Sequence, residues 1–259
     1  MKNANVTRPK IGIITGSGPE AGMDLWKKIL DARRAIEDVP YGGDLDAPNV
    51  TIFSEPALGL SMELEKNDLV VWDNLRRSAQ YIAGHVDYYA IACNTLNYYQ
   101  GHLDALNLPA QLISFSDTVL AYLREHRVER IALLGARPVT DLGLWSHYRQ
   151  LVGHVDIELP NPDAALRLHQ LIYDIKAIGP DAPSIREGFR AVLDELEAET
   201  VLLACTELPL IQLDPQTLAE TGKALVDVTD LVATRLAQLA CQSTVADIAL
   251  PRLSRVTVT

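Results

Sequence analysis

The apolar residues of this chain form short runs that alternate with longer amphipathic segments. The runs rich in Ile, Val, Leu and Tyr predict β-strands at KIGIIT, NVTIF, DYYAIA, AQLIS, RIALLGA, HVDIEL, TVLLA and ALVDV. Helical spacing of apolar residues predicts helices over residues 19–37, 68–84, 116–126, 163–178 and 184–197. This alternation is typical of a parallel α/β architecture, in which covered strands read as continuous apolar runs.

The chain also repeats one plan. KIGIITGSG at 10–18 is similar to RIALLGARP at 130–138. Each of these strands is followed later in the chain by a similar cysteine motif, IACNT at 91–95 in the first case and LACTE at 203–207 in the second. We therefore predict two similar parallel-sheet α/β lobes related by pseudo-symmetry, the first formed by residues 1–114 with 223–259 and the second by 115–222. Ligands bind at the carboxyl ends of strands in open α/β sheets, so the predicted active site lies in the cleft between the lobes.

Charge and composition narrow the range of partners. The 259 residues include 34 acidic and 23 basic side chains, for a formal net charge of −11, which disfavours nucleic acid and anionic membranes. No apolar stretch is long enough to span a membrane, and the N-terminus lacks the apolar core of a signal peptide. Three cysteines without a C-x-x-C pair predict neither disulfides nor a zinc site, and scattered histidines disfavour other metals, so we expect a cytoplasmic protein.

Two cysteines occupy equivalent places in the repeat. A single buried cysteine usually packs as a small hydrophobic residue, but Cys93 and Cys205 each follow an apolar run and precede a predicted helix. A helix N-terminus stabilises negative charge, so we expect both thiolates to form readily. Neither motif contains the histidine that nucleophilic catalysis would use. Two thiols facing one ligand could instead remove a proton from one face of a carbon and return one to the other.

The loop TGSGPE at 15–20 follows the first predicted strand. Its glycines approach the dinucleotide-binding fingerprint but miss its spacing by one residue. The alternative is a turn that directs the amides of Ser17 and Gly18 at a small anion such as a substrate carboxylate.

Four motifs together resemble a known family: IGIITGSGPEAG at 11–22, CNT at 93–95, LLGAR at 133–137 and CTELPL at 205–210. Their order and spacing are similar to the cofactor-independent aspartate/glutamate racemases, and Glu207 after the second Cys-Thr is similar to the aspartate racemase branch. The resemblance implies that Cys93 and Cys205 are the acid/base pair and that Asn94, Thr95 and Thr206 bind the substrate carboxylate. It also implies a small amino-acid substrate, no pyridoxal phosphate and a homodimer.

One departure from the family pattern concerns the substrate side chain. Aspartate racemases carry an arginine for the second carboxylate in the stretch that here reads SEPALGLSMELE, which has none. Arg137 is a candidate replacement, and Thr140 and Glu207 are further candidate substrate ligands. Aspartate and glutamate are the leading substrates by resemblance, with a neutral amino acid as the alternative.

Other functions fit the same scaffold. A cis-trans isomerase or decarboxylase acting on another small carboxylate could use the same two thiols, because a fold does not determine a substrate. A third hypothesis is a non-enzymatic protein that binds a ligand and keeps the cysteines without turnover. The segment 243–259 falls outside the repeat. It is predicted to be a tail, or to contribute RVTVT either as a short edge strand or as a contact with a partner subunit.

Overall fold

A computed structural model of the chain describes residues 6–242 and 244–245. The strands in this part of the chain are β1 (Val6–Thr7), β2 (Ile11–Thr15), β3 (Val50–Ser54), β4 (Tyr88–Ile91), β5 (Gln111–Leu112), β6 (Arg130–Gly135), β7 (Asp156–Glu158), β8 (Thr200–Ala204), β9 (Ala224–Asp227) and β10 (Thr244–Val245).

The α-helices between them are α1 (Pro19–Ala35), α2 (Leu64–Ala83), α3 (Gln100–Asp104), α4 (Phe115–Glu125), α5 (Arg137–Thr140), α6 (Pro162–Ile178), α7 (Pro183–Asp194), α8 (Pro215–Thr221) and α9 (Val228–Ala240). Short 3-10 helices occupy Asp44–Asp46, Pro56–Glu63, Thr95–Tyr99, His147–Leu151 and Leu208–Leu210. No helix within the described ranges is both long and apolar enough to cross a membrane.

Two parallel sheets of four strands carry the fold. Their strand orders are β3-β2-β4-β5 and β7-β6-β8-β9, and β1 pairs with β10 in an antiparallel ribbon outside both sheets. The central strands β2 and β4 in the first sheet therefore occupy the places of β6 and β8 in the second. This confirms the predicted α/β class and the two similar sheets.

The strand runs predicted from the sequence coincide with β2 to β9, and the long predicted helices coincide with α1, α2, α4, α6 and α7. The edge strand β3 differs from the expectation of burial on both faces. Each of its residues is half-buried or exposed, and Ile52 is 44% exposed. An edge strand has a neighbour on one side only, which accounts for its weaker covering.

The lobe boundary predicted after residue 222 needs correction. Strand β9 follows it directly and pairs with β8, so residues 224–227 complete the second sheet. Helix α9 then packs against α1 and α4 and returns the chain to the first half. The boundary therefore lies between β9 and α9. Of the segment 243–259, residue 243 and residues 246–259, including RVTVT, lie outside the described residues.

The core is continuous through both halves. One buried cluster joins the inner faces of the two sheets through helices α1, α4 and α9, with Ile13, Ala92, Leu133, Leu202 and Leu236 among its members. A second cluster lies under α6 and α7 on the outer face of the second sheet, and a third lies under α2 on the first. The shared inner layer fixes the carboxyl ends of the two sheets relative to one another.

A segment of the first half reaches into the second. The 3-10 helix Pro56–Glu63, which we call the crossing segment, follows β3, yet its Met62 is buried in the cluster beneath α6. Helix α6 is well defined at both ends: the side chain of Asn161 accepts from the amide of Ala164 at 2.9 Å, and Gly179 ends the helix with a φ of 85°. These contacts position α6 beside the carboxyl ends of both sheets.

Candidate active site

Cys93 and Cys205 lie at the carboxyl ends of the central strands β4 and β8, and both are buried. Asn97 fixes the first motif, because its Nδ2 donates to the carbonyl of Cys93 at 2.9 Å and its Oδ1 accepts from the amide of Phe115 at 3.1 Å. Each cysteine is followed by a 3-10 helix of five residues or fewer. The helical turn that the sequence predicts after each cysteine is therefore present but short.

Two serine hydroxyls surround the sulfur of Cys93. Ser17 Oγ lies 3.2 Å from Cys93 Sγ, and Ser61 Oγ lies 3.0 Å from Ser17 Oγ and 3.8 Å from the sulfur. Ser17 belongs to the loop after β2, whereas Ser61 belongs to the crossing segment. Both serines are buried. Hydroxyls can donate to a thiolate or accept from a thiol, so this setting accommodates either protonation state.

The sulfur of Cys205 has a different neighbour. Its Sγ donates to Glu207 Oε2 at 3.0 Å, and the hydroxyl of Thr206 donates to the same oxygen at 3.2 Å. Burial raises the pKa of the Cys205 thiol well above its usual value, and the Glu207 carboxylate raises it further. The expectation of an easily formed thiolate is therefore wrong for Cys205, because a carboxylate stabilises the thiol and repels the thiolate.

Lys176 on α6 connects the two cysteine environments. Its Nζ donates both to the carbonyl of Ser17 and to Glu207 Oε1. Burial lowers the pKa of Lys176, but Glu207 and the two thiols outweigh that effect, so the net pKa is raised and the amine stays charged. A series of residues in polar contact therefore lies between the two sulfurs: Cys93, Ser17, Lys176, Glu207 and Cys205. Ser17 takes part with its hydroxyl towards Cys93 and with its carbonyl towards Lys176.

The loop after β2 has glycines where side chains would collide with the site. Gly16 has a φ of 118°, and an added Cβ would meet the backbone of Glu55. A Cβ on Gly18 would collide with Glu207 Oε1 and crowd Lys176 Nζ. A small cavity of about 100 Å³ adjoins this point and is lined by residues that include Gly18, Pro19, Ala21, Ile175, Lys176 and Glu207.

Asn94 and Thr95 follow Cys93 and are both buried. The hydroxyl of Tyr148 donates to Asn94 Oδ1 at 2.7 Å, which orients the amide. Within the described part of the chain, Asn94 Nδ2 has no hydrogen-bond partner. A buried amide donor without a partner costs free energy, so an acceptor such as a carboxylate would be favoured there.

Arg137 and Thr140 lie on α5, away from the sulfur contacts described above. Thr140 is buried and its hydroxyl donates to the carbonyl of Ala136 at 3.5 Å. The Arg137 side chain is half exposed, and its guanidinium lies 3.7 Å from Glu63 at the end of the crossing segment. His169 on α6 lies 3.8 Å from the same carboxylate. Arg137 therefore helps join the crossing segment to the second half.

Sequence reasoning missed three residues of the site: Ser61, Tyr148 and Lys176. Lys176 carried a weak signal, because it is a cation set between apolar residues in IKAI and follows the buried Ile175. Ser61 and Tyr148 lie in 3-10 segments that no periodicity identifies. Among the residues that the structure describes, no group of three or more His, Cys, Asp and Glu could hold a metal ion.

Several solved structures share the two-lobed fold. The aspartate racemase of Picrophilus torridus is 20% identical, with a TM-score of 0.73 over 89% of this chain and 94% of that one. An aspartate racemase homologue from Pyrococcus horikoshii is 22% identical, with a TM-score of 0.68 over 90% and 100%. The glutamate racemase of Thermus thermophilus is 17% identical, with a TM-score of 0.56 over 89% and 80%. At such identities these similarities establish the fold alone.

The sequence itself carries the family assignment. The model of the Asp/Glu/hydantoin racemase family matches residues 14–236, which include both cysteine motifs and the loop after β2. Because this match spans most of the chain, the protein belongs to the Asp/Glu/hydantoin racemase family and is an isomerase.

Proposed function

We propose that the protein is a cofactor-independent amino-acid racemase in which Cys93 and Cys205 exchange protons with opposite faces of the substrate α-carbon. The observation that carries this proposal is the series of polar contacts joining the two sulfurs across the two halves of the fold. Each sulfur also has a polar neighbour suited to proton transfer, a serine hydroxyl at Cys93 and a carboxylate at Cys205.

The proposed inversion begins with one cysteine as thiolate and the other as thiol. The thiolate takes the α-proton, the C–H electron pair stays on carbon, and the opposite thiol then delivers its proton to the other face. Charge that develops on the substrate carboxylate needs hydrogen-bond donors already in position. Asn94 Nδ2 supports this role in the proposal, because it is a buried donor that lacks a partner among the described residues. The hydroxyl of Thr95 is a second proposed donor, and that of Thr206 would have to turn from Glu207 to the substrate.

Aspartate and glutamate are the leading proposed substrates. The charged Lys176 donates to Ser17 and to Glu207, the residues that contact the two sulfurs, and a positive charge placed there supports an anionic ligand. Its charge is matched by Glu207, however, and this balance supports a neutral amino acid as the alternative. The family description also includes hydantoin, a ring whose substituted carbon bears an exchangeable proton, so a 5-substituted hydantoin belongs in the test.

The decisive experiment is proton exchange followed by NMR in D₂O without added cofactor. The panel contains both enantiomers of aspartate, glutamate and neutral amino acids, with one hydantoin. We expect wild type to lose the α-proton signal of one substrate class as the enantiomer forms, and Cys93→Ala and Cys205→Ala to lose racemisation by at least about 1000-fold.

Cys241→Ala is the matched control, because Cys241 is a free, half-buried cysteine at the end of α9. It is expected to keep wild-type exchange. Racemisation that survives in both Cys93→Ala and Cys205→Ala would overturn the two-thiol mechanism. Absence of exchange with every compound in the panel would overturn the racemase proposal. A homodimer and a cytoplasmic location stay predictions from the sequence.

A further inference from the structure

The two thiols of the site have opposite kinds of hydrogen-bond partner. Cys93 faces two buried hydroxyls, with Ser17 Oγ 3.2 Å and Ser61 Oγ 3.8 Å from its sulfur. Cys205 donates to a carboxylate oxygen of Glu207 at 3.0 Å. A hydroxyl can donate to a thiolate, whereas an ionised carboxylate can only accept from a thiol.

The hydroxyls beside Cys93 are arranged in series. Ser61 Oγ lies 3.0 Å from Ser17 Oγ, so Ser61 can donate to Ser17 while Ser17 donates to the sulfur. Ser61 is 1% exposed, and the polar side-chain partners of its hydroxyl in the described structure are Ser17 and Cys93. Burying a hydroxyl costs free energy unless it is hydrogen-bonded, so the buried hydroxyl of Ser61 depends on its contacts with Ser17 and Cys93.

We propose that Ser17 and Ser61 are positioning residues that favour the thiolate of Cys93 over that of Cys205, while Glu207 holds Cys205 as the thiol. This inference rests on the proposed function and deepens it by assigning which of the two thiols ionises first. Cys93 is then the base for the enantiomer whose α-proton faces it, and Cys205 is the acid.

Of the charged groups around the pair, Lys176 is shared by both thiols, whereas Glu207 contacts Cys205 directly. Lys176 interacts with both sulfurs, and the carboxylate of Glu207 neutralises it from the second half. Glu207 contacts Cys205 directly and reaches Cys93 through Lys176 and Ser17. The hydroxyl contacts at Cys93 and the direct carboxylate contact at Cys205 together distinguish the two thiols.

The proton balance of a turnover follows from these states. The α-proton moves to the Cys93 thiolate, and Cys205 gives its proton to the opposite face, so the product leaves a Cys93 thiol and a Cys205 thiolate. One proton must then pass from Cys93 to solvent and one from solvent to Cys205 before the next turnover from the same enantiomer. The opposite enantiomer starts from the state that this turnover leaves.

The test measures thiolate absorbance in the ultraviolet against pH, which needs neither turnover nor reagent access. Cys205→Ala/Cys241→Ala leaves Cys93 as the cysteine that titrates, and Cys93→Ala/Cys241→Ala leaves Cys205. Spectra are taken as differences from the variant that lacks all three cysteines. We expect the Cys93 midpoint to lie at least about one pH unit below that of Cys205, a tenfold difference in the thiolate/thiol ratio.

Ser61→Ala in the Cys93 background is expected to raise that midpoint by about one pH unit, because the hydroxyl that orients Ser17 as a donor to the thiolate is lost. Ser61→Thr keeps the hydroxyl and is expected to restore it. Ser78→Ala is the control, because Ser78 is a buried serine whose hydroxyl donates within α2 to the carbonyl of Asn74 at 2.8 Å. In otherwise wild-type enzyme, Ser61→Ala also moves the acidic limb of kcat/KM upward, which a purely structural role would not do.

Equal midpoints for the two cysteines, a lower midpoint for Cys205, or an unchanged midpoint in Ser61→Ala would each overturn the inference. These outcomes are separate from failure of the proposed function. Without substrate exchange the racemase proposal falls, whereas the titration still reports whether the hydroxyls favour the Cys93 thiolate.

Discussion

The hydroxyl of Tyr148 donates a 2.7 Å hydrogen bond to Oδ1 of Asn94. Tyr148 is fully buried in the 3-10 helix His147–Leu151, which follows the second-sheet strand β6, whereas Asn94 follows the first-sheet strand β4. The bond reaches from one half of the fold to the other and turns Nδ2 away from Tyr148. It therefore sets the direction of the donor that the proposed mechanism assigns to the substrate carboxylate.

Tyr148→Phe removes this orienting bond and keeps the ring. We expect kcat/KM for racemisation to fall about tenfold, in line with about 1–1.5 kcal/mol for a lost hydrogen bond. Steady-state polarimetry measures the effect. Tyr99→Phe is the control, because Tyr99 is also buried and its hydroxyl donates at 2.7 Å to Asp68 on α2. An equal loss in both variants would mean that stability, and not the Asn94 amide, explains the change.

Gly18→Ala introduces a methyl group where Glu207 Oε1 lies. The Lys176–Glu207 ion pair must then move, and with it the acceptor for the Cys205 thiol. We expect kcat to fall at least about 100-fold, because misplacing a proton-transfer group by about 1 Å is that costly. Gly101→Ala on α3 is the matched control. Among the described residues, no atom outside its chain neighbours and its own helix backbone lies within 4 Å of the added Cβ, and the helix gains about 0.5–1 kcal/mol. Normal kcat in Gly18→Ala would argue against the Glu207 contact.

His147 makes the stability of the protein sensitive to acid. Burial lowers the pKa of His147 to about 3, and neither ring nitrogen has a hydrogen-bond partner among the described residues. The folded state keeps the ring neutral, whereas the unfolded chain takes up a proton below its ordinary pKa of about 6.5. The free energy of unfolding therefore falls as pH drops from about 6.5 towards 3, by up to about 1.4 kcal/mol per pH unit.

Replacing His147 removes this contribution. We expect His147→Phe to flatten the loss of stability between about pH 6 and pH 4, as measured by urea unfolding at a series of pH values. His154→Phe is the control, since His154 is exposed. If the two variants lose stability with the same slope as wild type, the buried ring is not the source of the acid sensitivity.

The strands and long helices could be predicted because their signals are local. A strand buried on both faces needs an apolar side chain at every position, and the run at 131–134 records this directly in Ile131, Ala132, Leu133 and Leu134. Helix starts are equally local: Asn161 caps α6 and Ser114 caps α4 through side chains that reach only a few residues along the chain.

Local sequence signals could not predict which sheet β9 joins. The run ALVDV predicts a strand wherever it lies, and nothing in it states which sheet it joins. The pairing of β9 with β8 depends on packing between segments far apart in the sequence, so only the folded chain decides it.

By itself, the sequence determined the α/β class, the repeat, and the two cysteines at strand ends, because hydrophobic runs and motif spacing are properties of neighbouring residues. Only the tertiary structure decided the surroundings of the cysteines. Ser61 lies 32 positions from Cys93, and Lys176 lies 31 from Glu207, yet each pair is in hydrogen-bond contact. Protonation depends on such distant neighbours and on burial, so a motif can name the thiols but cannot set their pKa.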